Sequence, residues 1–342
     1  MNRIKVVIYI LIISLFILDS KTTISGMHEG IQLCLQSAIP ALFPFLVFTP
    51  IVNSQLPDFI IHLIKPIGKL CGIPRGGESL FLLGLLSGYP NGARLIAESW
   101  TRKQLNKQDA LRMLGFCNNA GPAFLFGVCG AILPSKAVWA LFAIHAVSAI
   151  ITGILLPNKS KNRIQLQSDK PITVTSAIQP AIKVMAQICA WILLFRVLQA
   201  FLKKYIAFLL ESEIINPLLG MLEVTSGILS VDPQSPAGFK FICIAVFLAC
   251  GGLCVAAQTI SVTKQLGTGY YFPGKILQSA ISLLLSCFMQ YTLFDKNQCI
   301  PVPWGIIVIT LFIIIFLLLY LYRKKTVAIS NIMMYNAVRI KK

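Results

Sequence analysis

Charge is what this chain has least of. Charged residues make up 12% of its 342 positions, and only 12 are acidic against 30 Lys and Arg. Soluble globular domains carry about 25% charged residues. That shortage, with 56% hydrophobic residues and a mean hydropathy of +0.77, excludes a water-soluble domain. Histidine is scarcer still, at three copies. The chain has no H-E-x-x-H zinc helix, no G-x-S-x-G nucleophile turn and no P-loop, so no enzyme chemistry is expected. Without a P-loop, an ATP-driven pump would need a separate ATPase subunit. The ten cysteines form no Cys-x-x-Cys pair and lie mostly in apolar segments. They read as small buried hydrophobes, not as metal or redox sites. No cofactor is expected, although H+ or Na+ can serve as a coupling ion.

What the chain does have is a net charge of +18. Its basic residues sit in short loops and at the two ends, the positive-inside pattern of a multi-pass membrane protein. The partners expected are therefore the lipid bilayer and a small solute, with no nucleic acid and with room for a homo-oligomer. Spans of about 20 residues are expected at 4–18, 30–52, 110–133, 136–156, 177–200, 238–260, 275–293 and 304–322. The first is read as an uncleaved span in preference to a signal peptide. Span 304–322 opens at Trp304 and stops at Arg323-Lys324-Lys325, which puts the tail inside. Counting back alternates the loops: 294–303 outside, 261–275 inside with Lys264 and Lys275, 230–237 outside, 157–175 inside, 99–109 inside. Both termini are then cytoplasmic.

Two apolar segments, 79–98 and 218–229, cannot cross under this topology, because each has both ends on one side. They read as re-entrant helical hairpins entering from opposite faces. Segments 59–73 and 201–213 before them mix apolar and charged residues, as interfacial helices do. The fold class expected is an all-α polytopic membrane protein of about eight transmembrane helices plus two re-entrant hairpins in inverted repeats. The expected organisation is an N-terminal span and outer loop (1–29), a first repeat (30–156), a cytoplasmic linker (157–175), a second repeat (176–293), and a C-terminal span with a basic tail (294–342). Inverted repeats with broken helices at matching places mark secondary transporters with a midplane site.

The breaks carry the polar residues. Backbone can be irregular at membrane depth only where protein or a water-filled cavity surrounds it. The first hairpin turns at Ser87-Gly88-Tyr89-Pro90-Asn91-Gly92, and the restarted half-helix would favour an anion. Arg94 either adds charge there or snorkels out and pairs with Glu98. Asn118 and Asn119, before Gly121-Pro122, offer amides to a ligand or to a neighbouring helix. Glu223, the one acid in the second hairpin, with Thr225 beside it, either binds a proton or sodium or pairs with Arg196 or Lys183. Gly251-Gly252 and Gln258 form the second break. His145 stands alone in an apolar span and reads as a core residue ahead of a proton relay. The substrate-binding set expected is Gly88, Pro90, Asn91, Gly92, Arg94, Asn118, Asn119, Glu223, Thr225, Gly252 and Gln258.

Ser87-Gly88-Tyr89-Pro90-Asn91-Gly92-Ala93-Arg94-Leu95 and Phe116-Cys117-Asn118-Asn119-Ala120-Gly121-Pro122, with Leu222-Glu223-Val224-Thr225-Ser226-Gly227, resemble YlbJ-type sporulation integral membrane proteins. That family is placed in the nucleoside-recognition Gate domain superfamily, similar in architecture to concentrative nucleoside transporters. The resemblance covers about residues 30–290. It implies a transporter in a spore-forming bacterium, moving a small anionic or nucleoside-like solute, dipicolinate first, with the outer forespore membrane as one location. Cys254-Val255-Ala256-Ala257-Gln258 stands where the family pattern has a Ser- and His-containing run. The competing expectation is a non-transporting scaffold that recruits a sporulation partner.

Overall fold

The structure is a computed structural model that describes residues 3–157, 172–206, 218–303 and 305–322. Among the described residues every regular element is helical. In chain order these are α1 Arg3–Leu18, α2 Ser20–Leu33, α3 Ile39–Ser54, α4 Asp58–Cys71, α5 Glu78–Ser87, α6 Asn91–Thr101, α7 Lys107–Met113, α8 Pro122–Val128, α9 Ser135–Leu155 and α10 Val174–Tyr205. Then follow α11 at 218–222, α12 Val224–Leu229, α13 Ala237–Cys250, α14 Gly252–Val262, α15 Tyr271–Leu293 and α16 Gly305–Tyr322.

Among the described residues six helical stretches are long and apolar enough to cross a membrane: Ser20–Ser54, Ser135–Leu155, Val174–Tyr205, Ala237–Val262, Tyr271–Leu293 and Gly305–Tyr322. The chain is an integral, multi-pass membrane protein. Six such helices stand where eight spans were expected. The apolar part of α1, Ile4–Leu18, is short, because Asp19 ends it by capping α2, its carboxylate accepting the Thr22 N–H at 3.3 Å. Segment 110–133 holds no long helix, since Asn118 to Gly121 stay irregular between α7 and α8.

Two further boundaries are corrected. Residues 20–29, expected in an outer loop, are helical. They run through a π turn at Cys34–Ala38 into α3. The π turn lies just before Pro40, whose missing N–H cannot serve the carbonyl one turn back. Residues 201–205 belong to α10 and not to a separate interfacial helix. The rest of that expected helix, most of the linker and the basic tail lie outside the described residues. α4 does carry one exposed apolar stripe, through Phe59, Leu63 and Leu70.

α10 lies along α2 and α3. Gly26 and Gly30 make that contact close: a Cβ on Gly26 would sit 2.8 Å from the Val197 Cα. Apolar transfer does not drive helices together in lipid, so small residues and polar pairs do this work. Arg196 pairs with Glu29, and Lys204 and Tyr205 both bond the Asp19 carboxylate. The Lys204 ammonium, with Tyr205 and Thr22, holds the Asp19 carboxyl below the usual carboxylate range. α15 packs on α9 and α13. Among the described residues, α3 is followed by α4, the α5–α6 turn, the α7–α8 break and the long α9, whereas α10 is followed by the α11–α12 turn, the α13–α14 break and the long α15.

Candidate functional site

The first hairpin closes on its turn. Ser87 Oγ donates to the Leu83 carbonyl at 2.5 Å, and α5 ends. Gly88 follows at φ +81°, a region that a side chain rarely enters. A cis Tyr89–Pro90 bond leads into α6, and the Asn91 N–H donates to the Gly88 carbonyl at 3.0 Å. The arms cradle the first break from both sides. A Cβ on Gly84 would lie 2.1 Å from the Cys117 carbonyl oxygen, and one on Gly92 would lie 2.2 Å from it.

Asn118 ties this cradle together. Its Oδ1 accepts from the Ala93 N–H at 3.2 Å, one of the N–H groups that α6 leaves without a helical partner. Its Nδ2 donates to Thr259 Oγ1 of α14 at 3.0 Å. Asn119 faces the other way: Nδ2 donates to the Phe116 carbonyl at 2.7 Å, and Oδ1 accepts from Gln278 Nε2 of α15 at 2.9 Å. The Ala120 N–H donates to His145 Nε2 at 2.9 Å. The break is thus pinned to α6 and α14 in front and to α9 and α15 behind.

The second hairpin turns at Glu223. Its extended backbone separates α11 from α12, and its carboxylate accepts from the Thr225 N–H, the Ser226 N–H and Ser226 Oγ at 3.1, 2.7 and 2.7 Å. Arg196 Nη1 donates to that same Ser226 Oγ at 2.5 Å. Arg196 therefore reaches Glu223 only through a hydroxyl, and its ion-pair partner is Glu29. Gln199 Nε2 holds the other arm by donating to the Leu219 carbonyl at 2.7 Å. Gly252, at φ +75°, lies against the Met221 carbonyl, so each hairpin meets the break of its own half.

A cavity of about 30 Å³ lies where these parts converge. Its polar wall is Gly88 and Tyr89 from the first tip, Gly121 from the first break, Glu223 and Thr225 from the second apex, and Gln258 from α14. Ala38, Leu42, Ile188 and Ile192 of the two long helices, with Phe124, Val224 and Val255, make the apolar wall. The space holds ordered water at most in this conformation. Tyr89 Oη is buried and has no hydrogen-bond partner among the described residues.

Of the expected residues, Gly88, Glu223, Thr225 and Gln258 line this cavity. Pro90, Asn91, Gly92, Arg94, Asn118, Asn119 and Gly252 do not. Asn118 and Asn119 spend their amides on the protein. Arg94 does not line the cavity: it is 7% exposed, its Nε makes the expected pair with Glu98 at 2.6 Å, and among the described residues its Nη1 has no partner. Asn91 is 1% exposed, and among the described residues both its amide atoms lack a partner. Lys275, expected in a cytoplasmic loop, is buried in α15 because the helix starts at Tyr271. Sequence reasoning left Tyr89, Ser226 and Gln278 out of the site. Tyr89 sat inside the quoted motif, whereas Gln278 gave no signal beyond a polar residue in an apolar span. Among the described residues no group of His, Cys, Asp and Glu is placed to hold a metal ion, and all ten cysteines are free.

The chain is similar to a protein of Bacillus subtilis (strain 168) named sporulation integral membrane protein YlbJ. The two are 22% identical over 340 aligned positions, covering 83% of each chain. No protein-family model matches the chain. No solved structure matches it.

Proposed function

We propose that this chain is a secondary transporter of the Gate type, working in the cell membrane during spore formation. Its solute binds between the tip at Gly88 and Tyr89 and the apex at Glu223. The observation that carries this reading is the cavity itself, where two hairpin turns, the first helix break and α14 meet around a carboxyl, a hydroxyl and an amide. Buried polar atoms without partners are rare. Tyr89 Oη and both Asn91 amide atoms are such atoms at or beside the tip. A scaffold has no use for them, and no catalytic pair accompanies them.

The solute class is a small anion or a nucleoside-like molecule, with dipicolinate the first to test. A dianion in this cavity meets the Glu223 oxygens and not Arg94. It therefore travels with H+ or Na+ shared with Glu223 and Thr225. Both termini are cytoplasmic, and the outer forespore membrane is the location that fits export from a mother cell. Uptake of labelled dipicolinate into proteoliposomes tests the reading, with a nucleoside as competitor. Glu223→Gln and Tyr89→Phe should each lower flux at least about tenfold, the loss of one transition-state or binding contact of about 1.4 kcal/mol. Normal flux in both variants would remove the cavity from the transport path.

A further inference from the structure

The long helix α15 buries a lysine. Lys275 is 4% exposed, and its Nζ donates to Gln278 Oε1 at 2.8 Å. Among the described residues no carboxylate pairs with it. An ionisable side chain inside a membrane span is costly and normally has a task. The groups that face Lys275 are Cys250 from α13, Cys117 from the segment before the first break and His145 from α9. Tyr271 lies one turn before it on the same helix.

The hydrogen bonds around Lys275 run in one direction. Gln278 passes from Lys275 to the break, its Nε2 donating to Asn119 Oδ1 at 2.9 Å and to the His145 carbonyl at 3.4 Å. Asn119 in turn donates to the Phe116 carbonyl. Two residues on, Gly121 touches Gly88 at the cavity: a Cβ on Gly121 would lie 2.9 Å from the Gly88 nitrogen. An ammonium has three donors and no acceptor. It fixes Gln278 with its oxygen toward Nζ and its NH2 toward Asn119.

We propose that Lys275 is the proton carrier of this transporter, and that its protonation decides whether the first break is held or released. When the ammonium gives one proton to water, its hydrogen bond to Gln278 Oε1 is no longer charge-assisted and loses about half its strength. Gln278 is then no longer held in place, and its Nε2 leaves Asn119 Oδ1. Asn119 lets go, the 118–121 segment loosens, and the Gly88–Gly121 contact opens the cavity. Reprotonation restores the original chain. The coupling function rests on the transporter reading, whereas the switch at the break does not.

Hydrogen exchange of peptides spanning 116–121, in lipid nanodiscs without solute, tests the switch. The pH runs from about 5 to about 10, the range over which amines in proteins lose their proton. After correction for intrinsic exchange, protection in the wild type should fall about tenfold as pH rises. Lys275→Met should show no such step. Lys275→Arg, which keeps a donor at every pH, should show none either and covers the case in which the Met variant does not fold. The same step in wild type and variants would overturn the proposal. The coupling is tested by dipicolinate accumulation in proteoliposomes under an imposed pH gradient. Wild type should accumulate and lose this with a protonophore, whereas Lys275→Met should exchange solute without accumulating it. Gradient-driven accumulation by Lys275→Met would overturn the coupling role. A Lys275-dependent exchange step without any flux would leave the switch standing and refute the transporter reading instead.

Discussion

Replacing Gly92 with alanine strikes the point where the first hairpin grips the first break. The added Cβ would sit 2.2 Å from the Cys117 carbonyl oxygen and 3.1 Å from the Asn118 Cα, where ordinary contact begins at 3.4 Å. The clashing atoms are backbone, so no side chain can swing away. The 117–118 segment must move by roughly 1 Å, and overpacking of this kind costs about 1–3 kcal/mol. That movement also stretches the Asn118 bonds to Ala93 and Thr259, each worth about 0.6 kcal/mol in a membrane protein. Alanine's better helix propensity returns up to about 1 kcal/mol. The net loss is about 2 kcal/mol. It should lower the apparent Tm in detergent by several degrees, since about 2–4 °C accompanies each kcal/mol in chains of 150–250 residues. Gly127→Ala is the control, because nothing lies within 4 Å of its Cβ position; its Tm should hold or rise slightly. A Gly92→Ala protein as stable as the wild type would show that the hairpin does not enclose the Cys117 carbonyl.

Arg112 donates to the carbonyls of Cys71, Gly72, Gly153, Leu156 and Pro157, closing the ends of α4 and α9. Arg112→Lys keeps the charge but loses the planar fork, and thermal unfolding should report a loss on the order of 2–3 kcal/mol. Asn91→Ala removes a buried amide that has no partner among the described residues, so stability should change by less than about 0.5 kcal/mol while solute flux falls; equal losses of both would give Asn91 a purely structural role. At the α1–α2 corner the Asp19 carboxyl is held below its ordinary value of 3.8 by Lys204. Its contribution is present above that value and is lost as pH falls through the lower folded one. The Tm difference between wild type and Asp19→Asn should therefore be constant near neutrality and shrink below about pH 5; a difference that widens in acid would refute the ion pair.

Breaks in the hydrophobic pattern were legible in the sequence. Gly88, Gly121, Glu223 and Gly252 all sit at helix ends that the structure contains. The helix count was not, because a polar break and a span end look alike when read residue by residue. Asp19 ends a helix, yet the next begins at once at Ser20. Which polar side chains face the cavity was also hidden. Asn118 and Asn119 are adjacent and chemically identical, but one caps α6 and the other meets Gln278, 159 positions away in the chain. Pairings of that separation have no local signature. Lys275 shows the same limit: flanking charges set topology by position, and position alone does not tell a loop lysine from one a single turn inside the helix.

The central claim is that solute occupies the cavity between Gly88 and Glu223. Equilibrium binding of labelled dipicolinate to purified wild type and Val255→Phe tests it most directly. Val255 lies on the apolar wall, so the substitution fills the space and leaves every polar group in place. Binding should disappear in a variant that stays folded and monodisperse. Unchanged affinity there would contradict the account.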